Sequence, residues 1–343
     1  SLGANAQRDT LSLNRGWQFK YGNSSSTAQN TDFSTSDVQQ VNLPHDFQIS
    51  QPWVAPAKNE KADNSDQAAN VKSRLSARAF KEMGVGVYRK VLHAPKEWQG
   101  RRLLLDFGGI MLVGDVYLNG NRIGGTDYGY VGFDIDVTKQ LRYGADNVLV
   151  VVANTMAPNN SRWYTGGGLY RDVRLIATNR DLYFEHHPLF LSTPGNKQLN
   201  VTAEVSNYTK SPSGLIEVAI LDANGRQVAV HKQSLTFSRK RRTREYVLDS
   251  IPLSNPQLWS CDHPYLYTAV VSLYRNDGTV ADRVSEQFGV RTFEFSPQFG
   301  LKLNGEKVIL KGIANHHTLG SLGAAAYPRA IEKRINLLKS LGF

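Results

Sequence analysis

The sequence predicts a mostly β protein with two β-sandwiches, followed by a short unit of strand and helix. Short apolar and β-branched runs, separated by turn residues, recur along the chain as far as Phe295. Two turn signals of the Asn-Gly type, Asn119-Gly120 and Asn224-Gly225, lie between such runs. Beyond Ser296 the apolar spacing changes from a strand period to a helix period, so the fold changes there.

The first set of runs, from Leu11 to Ala177, shows no long helical period. Val113–Leu118 leads directly into Asn119-Gly120, which predicts a tight hairpin. Val148–Ala153 is a nearly continuous apolar run, as expected for a strand buried on both faces. The number and spacing of these runs favour a jelly-roll β-sandwich. The other predicted strands are Val85–Leu92, Arg101–Phe107, Phe133–Val137 and Val173–Ala177, and residues 59–72 are predicted to form a long polar loop.

The second set of runs, from Asp181 to Phe293, has the strand number and spacing of an immunoglobulin-like sandwich. Cys261 is the only cysteine, so an intrachain disulfide and a cysteine-based zinc site are both excluded. The predicted strands are Leu199–Ser206, Leu215–Asp222, Gln227–His231, Arg244–Leu248, Tyr265–Tyr274 and Arg283–Val290.

The last part of the chain reads as the start of a (β/α)8 barrel. Leu301–Leu303 and Val308–Ile313 are predicted strands, and Pro328 is predicted to begin an amphipathic helix that extends to Leu341. A whole barrel needs about 250 residues, far more than follow Phe295, so we expect a fragment of a longer protein. The apolar helix face would then need cover, and we expect self-association through this tail.

These patterns divide the chain into four parts. Residues 1–6 contain Ala4-Asn5-Ala6, which reads as the remnant of a signal-peptide cleavage site or as a chance match. On the first reading the protein is exported, to the periplasm or the extracellular space. Residues 7–180 form the jelly-roll domain, 181–295 the immunoglobulin-like domain and 296–343 the start of the barrel.

The charge is basic, with 40 Lys and Arg residues against 30 acids. Five basic residues fall within the six positions from Arg239 to Arg244, which is typical of a polyanion-binding segment or of a solvated loop. No nucleic-acid motif accompanies them, so we expect no nucleic-acid partner. No apolar run approaches the ~18 residues of a membrane-spanning helix.

Motifs along the whole chain resemble glycoside hydrolase family 2. The most specific is Ser161–Val173, which is similar to the family signature at the end of its galactose-binding-like sugar-binding domain. Within the family, His316-His317 followed by Leu319-Gly320 is most similar to the β-galactosidase branch. Further motifs are Trp17-Gln18-Phe19, Leu43-Pro44-His45-Asp46, Gly86–Lys90, Val116–Gly120, Asn147–Asn154, Asn255–Ser260, Pro264–Tyr267, Phe288–Arg291, Leu303-Asn304-Gly305 and Lys311-Gly312-Ile313.

The resemblance implies a retaining glycosidase, in which two carboxyl groups ~5–5.5 Å apart serve as acid/base and nucleophile. It places both catalytic glutamates on later barrel strands, so no catalytic residue is assigned in this chain. Two positions depart from the family pattern: Thr318 replaces an acidic residue, and Val87 replaces a tryptophan. The change at Thr318 bears on a substrate contact, and the change at Val87 bears on packing.

Four residues are candidates for binding a carbohydrate. His316 lies where a barrel strand would end, and its imidazole could donate to a sugar hydroxyl, as could that of His317 unless it is structural. Asp172 could accept from two vicinal hydroxyls, help to ligate a cation, or pair with Arg171 or Arg174. Trp163 could stack on a sugar face or lie in a domain core.

No cofactor is expected. The resemblance implies that family members can bind Mg or Na ions, but no ligands can be assigned here. Adjacent histidines on a strand point to opposite faces, so the pairs His186-His187 and His316-His317 are poor chelators of one ion.

Three functions remain open at this point. The chain is the amino-terminal part of an exported family 2 glycosidase of β-galactosidase type, or a non-catalytic pair of carbohydrate-binding modules, or a polyanion-binding β-sandwich protein. The barrel-like segment after Phe295 favours the first. An aromatic-lined concave site would favour the second, and salt-dependent binding to a polyanion would favour the third.

This chain alone should not hydrolyse a glycoside, because neither family glutamate is assigned within it. Incubation with a nitrophenyl β-galactoside should release nitrophenol at the rate of buffer. Turnover that survives purification and scales with the amount of protein would contradict the expectation.

Overall fold

The computed structural model of the protein describes residues 8–22, 31–55, 79–156 and 163–343. Ala4-Asn5-Ala6, the polar stretch 59–72 and Ser161-Arg162 lie outside these residues. The chain divides into two compact units, one formed by residues 10–177 with 312–343, the other by residues 178–311 with the amino-terminal residues up to Asp9.

The first unit contains a β-sandwich of two sheets. A six-stranded sheet has the order β3-β2-β4-β9-β6-β7, and a four-stranded sheet has the order β1-β10-β5-β8. The strands are β1 (Asp9–Ser12), β2 (Trp17–Gly22), β3 (Gln39–Val41), β4 (Val85–Ala94), β5 (Arg102–Phe107), β6 (Val113–Leu118), β7 (Asn121–Thr126), β8 (Phe133–Asp136), β9 (Ala145–Asn154) and β10 (Val173–Thr178). This confirms the mostly β prediction for this part of the chain.

The main core of the sandwich forms because alternate residues of each strand point inward. Trp17, Phe19 and Tyr88 are fully buried here, and the Trp17 indole donates to Leu13 O at 2.6 Å. The Asn119-Gly120 hairpin is confirmed: both residues have positive φ (51° and 85°), as a type I′ turn requires.

Strand β9 is buried on both faces, as its apolar run predicts. Leu149, Val151 and Ala153 belong to the main core. On the other face, Val152 packs in a small second cluster, with Val150 against it.

The second unit contains a sandwich of seven strands, in sheets of order β11-β12-β15 and β14-β13-β16-β17. This three-plus-four arrangement is the immunoglobulin-like one that the strand spacing predicts. The strands are β11 (Leu182–Ser192), β12 (Gln198–Asn207), β13 (Ser213–Leu221), β14 (Gln227–Thr236), β15 (Thr243–Pro252), β16 (Tyr267–Tyr274) and β17 (Val280–Phe288).

Strand β11 was missed by the sequence patterns, because Glu185-His186-His187-Pro188 interrupts its apolar alternation. The structure places a register shift between Phe184 and Leu189, so the strand bulges there and then resumes pairing with β12. Close by, the buried Asp282 carboxylate accepts from Arg8 at 3.0 Å and from the Phe184 amide at 2.9 Å.

A small three-stranded sheet follows, made of β18 (Phe293–Ser296), β19 (Gly300–Leu303) and β20 (Glu306–Lys307). The prediction of a strand at Val308–Ile313 was wrong. These residues form no regular element, and Ile309 and Leu310 are 76% and 77% exposed. A parallel barrel strand draws its hydrogen bonds from neighbouring strands. Within the described part of the chain, this segment has one backbone hydrogen bond to a strand, from the Val308 amide to Leu301 O at 3.0 Å, and it forms no ladder.

The predicted helix is present as α1 (Pro328–Ser340), and it begins at the proline. Its apolar face is largely exposed, including Ile335, Leu337 and the following Leu341. No helix among the described residues is both long and apolar enough to cross a bilayer.

The ring of His45 lies against Phe19 in the first sandwich, and its Nδ1 is 2.9 Å from the Tyr88 hydroxyl. Burial lowers the pKa of His45 from 6.5 to about 4. Below pH 6.5 the unfolded chain therefore binds a proton that the folded protein does not. The stabilisation from neutral His45 is complete above pH 6.5 and is lost as the pH falls towards 4, by ~2–3 kcal/mol.

We expect the unfolding free energy of wild type to fall more steeply between pH 6.5 and 4 than that of His45→Gln. Urea denaturation followed by tryptophan fluorescence measures this, because four of the five tryptophans lie in the first unit. His263→Gln, which changes an exposed histidine of the second unit, should leave the slope unchanged. Parallel pH profiles for wild type and His45→Gln would show that His45 does not carry this dependence.

Candidate functional site

A single buried carboxylate joins three segments of the first unit. Asp46, which is 4% exposed, follows β3 in the Leu43–Asp46 motif. Its Oδ1 accepts from the amides of Gly167 at 2.9 Å and Gln48 at 3.0 Å. Its Oδ2 accepts from the Tyr164 hydroxyl at 2.8 Å and the Ala324 amide at 2.7 Å. Asp46 therefore ties the segment 164–167 to the segment 316–325.

The protonation state of Asp46 follows from these contacts. Burial raises its pKa above the ordinary value, and the four hydrogen bonds oppose that rise. All four partners are donors, so the carboxylate form satisfies every one of them, whereas a protonated acid would bring one hydrogen too many. Burial and the Asp46 charge together raise the pKa of Tyr164, which keeps its hydroxyl a donor.

Two glycines make the close approach to Asp46 feasible. Gly166 and Gly323 have φ of 74° and 62°, which disfavours side chains. A Cβ on Gly166 would lie 2.6 Å from Asp46 Oδ2 and 2.5 Å from the Ala324 Cβ, and one on Gly323 would also collide with Asp46. Both positions therefore require glycine for conformation and for space.

Apolar packing supports the same junction. Ala324 is fully buried and packs in a small cluster with Met111, Leu112 and Tyr170. The amide of Ala326 donates to Tyr170 O at 2.9 Å. The segment that carries the paired histidines is thus docked on the first sandwich, whereas the described part of the chain leaves the apolar face of α1 largely exposed.

The two adjacent histidines have different surroundings. The Nε2 of His317 lies 2.9 Å from Thr165 O and donates to it, and its ring meets the edges of Tyr130 and Tyr170. This contact orients His317 structurally. His316 is exposed, and its ring lies 4.7 Å from that of Trp163.

We call Tyr128, Tyr130, Trp163 and His316 the aromatic cluster. The Trp163 indole donates to the Tyr130 hydroxyl at 3.2 Å, and the rings of Tyr128 and Tyr130 are 5.6 Å apart. Tyr128 is 61% exposed and Trp163 is 36% exposed, so ring surface remains accessible. The cluster combines open aromatic faces with phenol, indole and imidazole hydrogen-bonding groups.

The arginines beside the cluster already have acceptors. Arg334, on α1, donates to Asn315 Oδ1 at 3.1 Å, to His316 O at 2.8 Å and to Thr318 O. Arg171 donates to Gly108 O and lies over the ring of Tyr170. Both guanidinium groups thus hold loops in place.

Asp172 is placed differently from the other three predicted site residues. Its carboxylate accepts from Asn14 Nδ2 at 2.8 Å and forms an ion pair with Arg174 at 2.8 Å. Of the two pairings that the sequence left open, the structure contains the one with Arg174. Trp163, His316 and His317 are brought together, whereas the described partners of Asp172 are Asn14 and Arg174.

A metal centre finds no support among the residues that the structure describes. They contain no group of three or more His, Cys, Asp or Glu side chains placed to hold an ion. The described residues therefore offer no ligand set for a Mg or Na ion.

Sequence reasoning missed the roles of Asp46 and Tyr130. The Leu43–Asp46 motif carried a signal, since an aspartate between buried residues needs partners. Tyr130 gave no signal in the sequence, because its contacts with Trp163 and His317 arise only when the chain is folded.

Two family models match the chain. The one described as "Glycosyl hydrolases family 2, sugar binding domain" matches residues 11–179, and the one described as "Glycosyl hydrolases family 2" matches residues 184–291. Together they cover both sandwiches, so the chain belongs to glycosyl hydrolase family 2. This confirms the resemblance drawn from the motifs.

Several relatives align with nearly the whole length of this chain. It is 32% identical to β-galactosidase BoGH2A of Bacteroides ovatus over 98% of its length, covering 38% of that protein. It is 28% identical to a β-glucuronidase of Bacteroides fragilis over its full length, covering 46% of that protein. A family 2 glycosyl hydrolase structure from Bacteroides cellulosilyticus superposes over 97% of this chain and 42% of its own, with a TM-score of 0.83 and 34% identity. The chain thus spans less than half the length of these relatives.

The Asp46 junction can be tested by Asp46→Ala. The change leaves three backbone amides and the Tyr164 hydroxyl without an acceptor, and each buried orphan costs about 1–3 kcal/mol. We expect the first unit to lose ~3–5 kcal/mol in urea denaturation followed by tryptophan fluorescence.

The matched control is Asp222→Ala. Asp222 also accepts from backbone amides, those of Asn224 and Arg226, but in a turn of the second unit. Asp222→Ala should therefore leave the urea transition detected by tryptophan fluorescence unchanged. Equal behaviour of the two variants would contradict the role of Asp46.

Proposed function

We propose that this chain is the amino-terminal part of an exported retaining glycosidase of β-galactosidase type, in which it supplies part of the sugar-binding wall and the scaffold. The aromatic cluster is the observation that carries the proposal. Open ring faces pack on the C–H faces of a pyranose, while the groups at their edges can pair with its hydroxyls.

The exposed tip of His316 supports a substrate-contacting role in this proposal. Its ring is held against Trp163, and Arg334 fixes its backbone carbonyl. A neutral imidazole can donate at one nitrogen and accept at the other, which suits a sugar hydroxyl. His317 serves as the positioning residue, because its Nε2 is engaged by Thr165 O.

We propose a neutral sugar rather than a uronic acid as the ligand of the aromatic cluster. A glucuronide carboxylate calls for a free cation, and Arg171 and Arg334 are engaged with carbonyl oxygens and, for Arg171, with a tyrosine ring. The names of the relatives include both β-galactosidase and β-glucuronidase. Because both arginines already have partners, we propose a galactoside as the ligand. The name of one relative, β-galactosidase BoGH2A, supports the same choice.

Catalysis would need further barrel strands that carry the two glutamates. The exposed apolar residues Ile309, Leu310 and Ile313, with the open face of α1, support this part of the proposal, because such surface is normally covered. Self-association of two copies of the chain through the apolar face of α1 would also cover this surface. Export is proposed on Ala4-Asn5-Ala6 alone, and sequencing the amino terminus of the secreted protein tests it.

The sugar site is tested by saturation-transfer NMR with methyl β-galactoside and methyl β-glucuronide. We expect the galactoside to bind more tightly, and Trp163→Ala to weaken that binding about 5- to 10-fold, because a stacking face is worth about 1 kcal/mol or more. Trp53→Ala is the matched control, since Trp53 is 70% exposed elsewhere in the same unit and lies against Lys81.

Three outcomes would count against this site. The galactoside could fail to bind, both tryptophan variants could lose affinity equally, or the glucuronide could bind more tightly. The last would overturn the neutral-sugar assignment while leaving the aromatic cluster as the sugar contact.

A further inference from the structure

The loop that connects β14 to β15, and so links the two sheets of the second sandwich, carries a dense positive charge that the proposed sugar site does not use. Arg239, Lys240, Arg241, Arg242 and Arg244 are all exposed, and we call them the basic loop. They belong to the second unit, whereas the aromatic cluster belongs to the first.

Other cations of this sandwich form ion pairs. Lys232 pairs with Glu217 at 2.7 Å and Arg275 with Asp181 at 2.7 Å. Among the residues that the structure describes, no carboxylate pairs with any of the five side chains of the basic loop. Five like charges within six positions repel one another, and an anionic ligand would relieve that repulsion.

Aromatic rings hold two of these arginines in place. The guanidinium of Arg242 lies 5.7 Å from the ring centre of Tyr208, which itself stacks on Tyr183. Arg244 lies 5.5 Å from the ring of Tyr246, and the hydroxyl of Tyr246 donates to Thr236 O at 3.0 Å. These cation–π contacts draw each guanidinium towards a ring and leave its N–H groups free to donate.

The backbone of the turn is also held. The amides of Lys240 and Arg241 both lie 3.3 Å from Ser238 Oγ, and the Asn207 amide donates to Arg242 O at 2.8 Å. A fixed turn loses little conformational entropy when a ligand binds. The charges are therefore presented on an ordered support.

We propose that the basic loop binds an acidic polysaccharide through the carboxylate or sulfate groups of the polymer. Guanidinium forks bind such oxyanions with paired hydrogen bonds, and a linear polymer presents several of them to one loop. Single-stranded nucleic acid is less well matched, because its bases need open aromatic faces. Here arginines lie over the rings of Tyr208 and Tyr246.

The test measures binding of fluorescein-labelled heparin and polygalacturonate by polarisation at 50 and 200 mM NaCl. Arg239→Gln/Arg241→Gln should weaken binding about tenfold or more at the lower salt. By counterion release, it should reduce the slope of log K against log salt by about 1.4–1.8. Neither side chain makes a described contact, so circular dichroism should match that of wild type.

The matched control is Lys197→Gln/Lys307→Gln, which removes the same charge from exposed positions of the same unit. Lys197 precedes β12, whereas the basic loop lies beside the other end of that strand, where Ser206 pairs with Thr243. This variant should change binding less than twofold. Labelled neutral dextran is not expected to bind the wild-type protein.

Three results would overturn the proposal. Wild type could fail to bind either acidic polymer at 50 mM NaCl. The control could lose as much affinity as Arg239→Gln/Arg241→Gln, which would show attraction by net charge alone. A labelled oligo-dT could bind more tightly than both polysaccharides at equal salt, which would assign the basic loop to nucleic acid. None of these results bears on the aromatic cluster, whose test uses neutral sugars and other residues.

Discussion

The Asp46 carboxylate is the interaction on which the candidate sugar site depends. One buried charge accepts from donors on three segments that are distant in sequence, with Tyr164 and Gly167 in one and Ala324 in another. Removing such a charge from water is costly, and only a full set of donors offsets that cost. The donors are available only when both segments are in place, so the interaction selects one arrangement of the loops.

The position of the aromatic cluster follows from this constraint. Trp163 directly precedes the Tyr164 that donates to Asp46, and His316 directly precedes the His317 that donates to Thr165 O. The two exposed rings are therefore set by neighbours that are themselves held. The helix α1 contributes through Arg334, which donates to the loop carbonyls of His316 and Thr318, while its apolar face makes no comparable contact. The site is thus built by polar contacts and the small Ala324 cluster.

Much of the fold could be predicted from the sequence because its signals are local. The Asn119-Gly120 hairpin depends on two residues that tolerate positive φ, and the α1 start depends on Pro328. The strand predicted at Val308–Ile313 failed for the opposite reason. An apolar run becomes a parallel strand only beside partner strands, and the run itself does not show whether they are present.

The site was predictable only in part. Trp163, His316 and His317 stood out by residue type and by motif, and the structure brings them together. Asp172 stood out equally, yet the structure gives it Asn14 and Arg174 as partners. The role of Asp46 depends on Gly323 and Ala324, nearly 280 positions away, and no pattern near Asp46 indicates that contact.

Amide hydrogen exchange at Gly167 and Ala324, resolved by NMR, tests the central claim most directly. Both amides donate to Asp46, one on each oxygen. The account predicts that both exchange slowly and that low concentrations of urea accelerate them in parallel, because one opening event releases both segments. Rapid exchange at Ala324 beside continued protection at Gly167 would contradict the claim, since the carboxylate would then hold the first segment alone.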